Sequence, residues 1–564
     1  MSQKTETEPT KTSERPWWLN INMVGVLLVL VAFGISMKRV FSIREQLEGT
    51  DGTTIIRISH WQLELGYRDA LQHVINMYQE EQAKLGRKVR VLQMPVTERV
   101  YGPWLNTNLI SQQAPDIVLM GMSGMLSSEQ YLARYFRPLT DLVDQPNPHN
   151  KGTELENVPW RETYFDGMRG AYNVKLQDYF MVPTASYTMR IFYNKKLFEE
   201  IGQPNPPQTF GQLMDVCQRI SEHATKTNRT ILPIAGSKYS YLTFVNRYAV
   251  SFTANLEKDL DLDLDGSVTP QEVYAGHVRG KLRMDLPNVK AFYALLRELS
   301  TQFGPGFIGK DRQTAAFEFV QQRAAMISSG SWDAQSLFAQ AEKAGFDVGI
   351  FDFPLPAAGE PYGEYIVGKT QEATIGASGA YGLYKYSRQP DAALDFLQFL
   401  TSKRINQIHM ERTNWIPVVR GTEPKGKMAV FAPNPIGFNT GINPVYGAEM
   451  SSRYSGELQS YLQGDSTFNR LAGVVDTAFR DPLIGGDWAW YWEYSELVKQ
   501  VRTQERSLAA HSIRGLLLGA EDAQHKHRQI MLQQLKVNNG ETMRRRFEDI
   551  RGVPITDVEQ RRGG

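Results

Sequence analysis

The sequence predicts an α/β protein of at least two folding units, preceded by one apolar segment and followed by a mainly helical C-terminal part. Three observations predict it. From residue 54 onward, β-branched runs alternate with amphipathic stretches of helix length, the pattern of a mostly parallel sheet covered on both faces. A chain of 564 residues also exceeds what one hydrophobic core usually organises. Beyond about residue 440 the alternation stops, and the remaining residues read as successive helices.

Residues 1–16 are polar, carry Pro9 and Pro16, and read as a disordered tail. Residues 17–37 are long and apolar enough to cross a bilayer, with Trp17 and Trp18 at one edge and Lys38-Arg39 at the other. This is a membrane anchor or a signal sequence. No small-residue cleavage pattern precedes Lys38, which favours an uncleaved anchor. Charge does not orient it, because Lys4, Lys11 and Arg15 on one side balance Lys38, Arg39 and Arg44 on the other.

The first strand is expected over 54–60, a β-branched run delivering Trp61 to its carboxyl end. The spacing of Leu71, Val74, Ile75 and Tyr78 predicts a helix over 67–85, and a second strand follows over 88–94, beginning in earnest at Val89. A helix over 101–113, a strand over 116–120 and a helix over 127–135 continue the alternation. In such sheets ligands sit outside the carboxyl ends of the strands, which directs attention to the loops after His60 and Met120.

Sixty-two basic and 61 acidic residues leave a net charge of +1, which argues against a nucleic-acid or acidic-polymer partner. The one cysteine, Cys217, sits on an apolar helical spacing and reads as a small buried hydrophobe. Gly304-Pro305-Gly306-Phe307-Ile308-Gly309-Lys310 satisfies G-x-G-x-x-G, but a helix precedes it where a strand is required, and Asp311 stands where a magnesium-binding Ser or Thr belongs. It reads as an ordinary loop. No H-E-x-x-H, C-x-x-C or G-x-S-x-G occurs, so there is no positive case for catalysis.

Residues 261–272 fit an EF-hand calcium loop. Asp261, Asp263 and Asp265 offer side-chain oxygens, Gly266 permits the turn, Ser267 offers its carbonyl, Thr269 holds a water and Glu272 closes the shell. A bound Ca2+ there would brace the fold structurally. The alternative is an acidic surface hairpin, since Leu260, Leu262 and Leu264 alternate with the aspartates.

Four segments then occur in a fixed order: Ala114-Pro115-Asp116-Ile117-Val118, Phe192-Tyr193-Asn194-Lys195-Lys196-Leu197-Phe198, Pro206-Pro207-Gln208-Thr209-Phe210, and Ala324-Ala325-Met326 running into Gly330-Ser331-Trp332. Pro138-Leu139-Thr140-Asp141-Leu142, residues 347–356 and 374–384, and Thr413-Asn414-Trp415-Ile416-Pro417 add to them. Together, over about residues 54–420, they resemble the extracellular solute-binding proteins of bacterial ABC importers, of the sugar and oligosaccharide type.

The resemblance implies a two-lobed periplasmic-binding-protein fold of type II, with an N-terminal transmembrane helix and a mostly helical C-terminal extension. Lobe I would comprise 54–183 plus 376–415, lobe II 184–375 with the EF-hand-like loop, and the extension 416–564. Two or three crossings would join the lobes and act as a hinge. Trp61, Trp332 and Trp415 fall in segments that reach the interlobe cleft in the family. Tyr187, Tyr239 and Tyr381 are expected near it in strand-end and loop positions, with Glu64, Asp333 and Asn414 as polar neighbours. Aromatic rings would stack on sugar C–H faces while the polar groups bond hydroxyls.

On this reading the chain captures a sugar or oligosaccharide and hands it to ABC permease subunits, and it is not an enzyme. A ligand-capturing domain belongs outside the cytoplasmic membrane, which leaves residues 1–16 in the cytoplasm. A membrane-anchored carbohydrate-active enzyme, or a sensory or scaffolding subunit that keeps the binding fold, are the alternatives. The cluster Trp488-Ala489-Trp490-Tyr491-Trp492-Glu493-Tyr494 reads as a buried apron on one lobe, and Arg544-Arg545-Arg546 as a solvated helix face.

Overall fold

The computed structural model describes residues 52–62, 66–121, 129–173, 176–262, 266, 268–372, 379–413, 415–439, 441–481 and 486–517, together with parts of 25–37 and of 527–545. Strand β1 (Thr54–His60) pairs in parallel with β2 (Val89–Pro95), from Thr54 opposite Val89 to His60 opposite Pro95, and with β3 (Ile117–Leu119) on its other side. The helix Tyr67–Lys84 connects β1 to β2 and buries Leu71, Val74, Ile75 and Tyr78, one stripe of a 3.6-residue period. Asp116 fixes the start of β3: its carboxylate accepts from Arg57 N–H at 2.8 Å and from the Ser387 hydroxyl at 2.7 Å.

A two-stranded ribbon, β4 (Tyr172–Asn173) with β5 (Asp178–Tyr179), precedes β6 (Val182–Pro183), the last strand before the chain leaves this lobe. The second lobe holds β7 (Met189–Asn194), β8 (Leu232–Ala235), β9 (Ala324–Gly330) and β10 (Val348–Phe351), in the spatial order β10-β7-β9-β8. The chain then returns as β11 (Ala380–Leu383), inserted antiparallel between β3 and β6, so the first sheet runs β2-β1-β3-β11-β6.

Two of the motif segments have plain local explanations. Asn194 ends β7 and caps the helix Lys195–Glu200, its side chain accepting from Leu197 N–H at 3.1 Å. Thr209 does the same for the helix Phe210–Lys226, which buries Cys217 completely. The glycine-rich loop is a turn, as its context implied: Gly306 has φ +66°, and a Cβ on Gly304 would meet Leu232 at 2.7 Å.

Each lobe has its own apolar core. Ile58, Leu71, Tyr101, Val118 and Phe396 belong to the first, Phe198, Leu213, Phe244 and Leu296 to the second. Three connections join the lobes. The first runs from β6 to β7, and Ser186 on it bridges Ile416. The second leaves the second lobe after Glu372 and rejoins the first at Gly379, with 373–378 outside the described residues. The third leaves the first lobe after Val418 and Val419, which are buried there, and enters the second where Met428 and Phe431 are buried.

Among the described residues, 446–498 of the extension pack on the second lobe. Tyr446, Met450 and Tyr454 of the helix Ala448–Gln463 and its lead-in, Leu471 and Phe479 of Phe468–Arg480, and Trp490 and Tyr494 of Gly486–Leu517 all join that lobe's core. Of the aromatic cluster, Trp490 is buried and Trp492 is 54% exposed; the side chain of Trp488 lies outside the described residues. Among the described residues no helix is long and apolar enough to cross a membrane.

Candidate ligand cleft

The carboxyl end of β1 presents Trp61, half-buried and edge-on to Tyr101 at 5.0 Å. Tyr101 is held in turn by bonds of 3.1 Å to the Ser59 hydroxyl and to the Leu119 carbonyl, so β1, β3 and the helix Glu98–Ile110 position the indole together. Trp104, one turn along that helix, lies 5.7 Å from the Tyr101 ring.

Opposite them, the end of β9 turns through the 3₁₀ segment Ser331–Asp333 into the helix Ala334–Lys343. Gly330 is required there, because a Cβ on it would lie 2.3 Å from the Trp332 ring, which folds back over its own strand end. Tyr187 meets Trp332 edge-on at 5.2 Å and Tyr239 does so at 6.4 Å. The Arg312 guanidinium lies 5.9 Å from the Tyr239 ring centroid and 3.8 Å from the Asp333 carboxylate, which also accepts from the Ser329 hydroxyl at 2.5 Å.

Trp332 packs against the apolar core of the first lobe although it is carried by the second. Burial pushes the Tyr239 phenol up from its usual range against the opposing Arg312 charge, and Tyr187, Asp333 and, least, Glu98 of the first lobe add to it. Gly66 and Gln335 bring the lobes together at a further point. At φ +83° Gly66 sits in left-handed backbone, and a Cβ on it would lie 3.5 Å from Gln335 Oε1 and from the Arg412 carbonyl. The indole N–H of Trp332 and Gln335 Oε1 are both buried without a hydrogen-bond partner. One donor and one acceptor thus stand open at the seam, beside several ring faces.

The structure thus groups Tyr187, Tyr239, Trp332 and Asp333 around the end of β9 and places Trp61 at the carboxyl end of β1. Tyr381 is a correction. It lies inside β11, not in a loop, with no exposed surface, and its hydroxyl is bonded to that of Tyr67 at 2.9 Å. Trp415 is 9% exposed and packs on the Tyr67 ring at 4.9 Å, in the floor of the first lobe. Glu64 and Asn414 lie outside the described residues. Tyr101, Trp104, Arg312 and Gln335 were not anticipated; the only sequence signal was the i, i+3 spacing of the first two.

The loop at 261–272 is partly described, with Asp263, Asp265 and Ser267 outside the described residues. Asp261 accepts from Gly266 N–H at 2.9 Å. Glu272 accepts from Leu262 N–H at 2.6 Å and from Thr269 N–H at 2.8 Å, closing a capping box on the helix Pro270–Val278. Burial pushes the Glu272 carboxyl up from its usual range, and Asp261 adds to this. Among the described residues no group of three or more acidic, His or Cys side chains is placed to hold a metal ion.

The profile of the bacterial extracellular solute-binding proteins matches residues 102–407. The chain belongs to that family. Three solved structures share the fold of this solute-binding protein. Apo RafE from Streptococcus pneumoniae superposes with a TM-score of 0.52 at 16% identity, over 77% of this chain and 98% of that one. The GacH receptor of Streptomyces glaucescens gives 0.51 at 16%, over 76% and 98%. Maltose-bound MalE3 of T. maritima gives 0.51 at 14%, over 76% and 99%. No curated protein sequence matches the chain. The three structures are covered almost whole, so about a quarter of this solute-binding protein has no counterpart in them.

Proposed function

We propose that this chain is an extracytoplasmic receptor that captures a sugar or oligosaccharide between its lobes, without transforming it, and delivers it to an ABC permease. One observation carries the reading: Trp332, on the second lobe, packs against the core of the first lobe amid Tyr187 and Tyr239, and Trp61 packs against that same core. Ring faces of this kind stack on the apolar C–H faces of sugars, and the open indole N–H and amide oxygen suit a hydroxyl, which both donates and accepts. The GacH and MalE3 structures are described as bound to acarbose and to maltose.

The same proposal places residues 17–37 in the cytoplasmic membrane as a single-pass anchor. What supports it is composition and exposure: Val26, Leu28, Val29, Leu30 and Phe33, in the described helical part, each leave more than half of their surface uncovered, which a bilayer would bury. Calcium at 261–272 is also proposed. Its support is the ligand spacing and the closeness of Asp261 to Glu272, a pair of acidic groups whose mutual repulsion a divalent cation would relieve.

Thermal unfolding of the chain from Gly49 onward, with maltose, raffinose, acarbose, amino acids and small anions, with and without calcium, tests the sugar and calcium parts of the proposal. A ligand that binds only the folded form raises the midpoint. A shift with one sugar class and no conversion of that sugar on long incubation is expected. Disappearance of the sugar would replace the receptor by an enzyme, and no shift with any sugar would remove the sugar assignment. A calcium shift abolished by Glu272→Gln would support the loop.

A further inference from the structure

The three connections between the lobes converge, on the second-lobe side, on one carboxylate. We propose that Glu372 is a positioning residue for ligand capture, a clamp that makes the three connections turn as one hinge and so fixes the angle between the lobes.

Glu372 belongs to the second connection, and its side chain is 6% exposed. Arg190, at the start of β7 where the first connection ends, binds it with both prongs, Nη1 to Oε1 at 2.7 Å and Nη2 to Oε2 at 2.9 Å. Arg247 binds Oε1 from the helix Lys238–Thr253. The third connection is tied in by backbone: Asn434 N–H donates to Glu372 Oε2 at 3.0 Å, and Glu372 N–H donates to the Asn434 carbonyl at 2.8 Å. Arg190 also donates to the carbonyls of Val430 and Ala432, at 3.1 and 3.2 Å, and the Thr188 hydroxyl donates to that of Phe431 at 2.8 Å.

Charge-assisted, two-pronged bonds of this kind fix direction as well as distance. Burial opposes ionisation of Glu372, but the two guanidiniums outweigh it and hold the carboxyl below the usual carboxylate range. The site therefore holds an anion that cannot be removed without leaving the buried Arg190 and the partly buried Arg247 short of a partner.

Two features separate a hinge clamp from an ordinary core ion pair. Glu372 lies in no strand or helix, so its replacement takes no residue out of either sheet. Its partner Arg247 shares a helix with Tyr239, which faces Trp332 in the cleft, so the clamp and the ligand contacts are carried by one rigid element. With the clamp closed, rotation is confined to the stretches between it and the first lobe, which among the described residues are those around 184–187 and 416–427. Without it the three connections bend independently.

The test needs no ligand, so it stands or falls separately from the sugar assignment. Cys217 is the only native thiol and is fully buried, which leaves introduced cysteines as the labelling sites. Nitroxides at Leu85→Cys on the first lobe and Lys226→Cys on the second report the interlobe distance by pulsed dipolar spectroscopy; both positions are exposed. Glu372→Gln, folded as judged by circular dichroism, is expected to at least double the width of the distance distribution. Arg190→Lys, which keeps the charge, is expected to broaden it less. If Glu372→Gln fails to fold, Arg247→Gln takes the same test, since Arg247 is 15% exposed and only one of the two cationic partners. A folded variant with a distribution superimposable on the parent would overturn the proposal.

Discussion

Trp490 and Trp492 are two residues apart on one helix and face opposite ways, and this offers the sharpest test of how the extension is attached. Trp490 is 1% exposed, stacks on Tyr494 with ring centroids 5.5 Å apart, and lies 6.2 Å from Tyr274 of the second lobe. Replacing a buried tryptophan by alanine costs about 3–5 kcal/mol, because the apolar contact is lost and a cavity remains. For a cooperative unit of about 150–250 residues each kcal/mol moves the midpoint by roughly 2–4 °C, so Trp490→Ala should lower it by roughly 10 °C. Trp492 is 54% exposed and is approached by the Lys499 ammonium at 5.6 Å. Its replacement removes about 0.5–1 kcal/mol of cation–π contact and leaves no buried cavity, so the shift should be much smaller. Scanning calorimetry on both variants decides. If the two shifts are equal, or if the extension melts in its own transition and leaves that of the second lobe unmoved, the packing argument fails.

His409 is completely buried against Tyr67, with both ring nitrogens lacking a partner, and burial, helped by nearby His60, lowers its pKa to about 3. Between the unfolded value of 6.5 and 3 the unfolded chain binds the extra proton, so this contribution to stability is intact above pH 6.5 and falls by about 1.4 kcal/mol per pH unit below it. Urea unfolding at pH 7 and pH 4.5 should show His409→Leu losing about 2–3 kcal/mol less than the parent, and parallel losses would refute the assignment. Trp332→Ala should weaken binding of whichever sugar shifts the melting point by about 1–3 kcal/mol, or roughly 5- to 150-fold by calorimetric titration. Tyr381→Phe removes the bond to Tyr67 and should cost about 1–2 kcal/mol of stability while leaving sugar affinity unchanged; an affinity loss would return Tyr381 to the cleft.

The first lobe was legible because its signals are local. The β-branched run at 54–60, the strand beginning at Val89 and the stripe at Leu71, Val74, Ile75 and Tyr78 each act within a few residues. Tyr381 was misplaced because the glycine- and alanine-rich stretch before it carries no marker of where a short buried strand begins. The clamp was not legible at all, since Arg190 and Glu372 are 182 positions apart and neither sits in a motif. The apron was legible in kind but not in orientation: Trp490 and Tyr494, four apart, share the buried face, and Trp492 falls between them on the other side.

The extension's route bears on what it can do to the cleft. Its helices enlarge the second lobe's core, so it moves with that lobe when the hinge turns. Far along the chain it touches the first lobe, where Lys536 Nζ lies 3.7 Å from Asp178, whose other carboxylate oxygen caps Thr140. That pair is partly open to solvent, with side chains 25% and 12% exposed, and such contacts contribute about 1 kcal/mol or less. A term of that size shifts a two-state opening by no more than about fivefold, far from the roughly 10⁴-fold needed to drive it from mostly open to mostly closed. Lys536→Glu should therefore change the midpoint by less than about 4 °C and the sugar affinity by less than about fivefold. A larger loss of affinity would make the extension a latch; a smaller one leaves the lobe angle to the clamp at Glu372 and to the ligand that bridges the cleft.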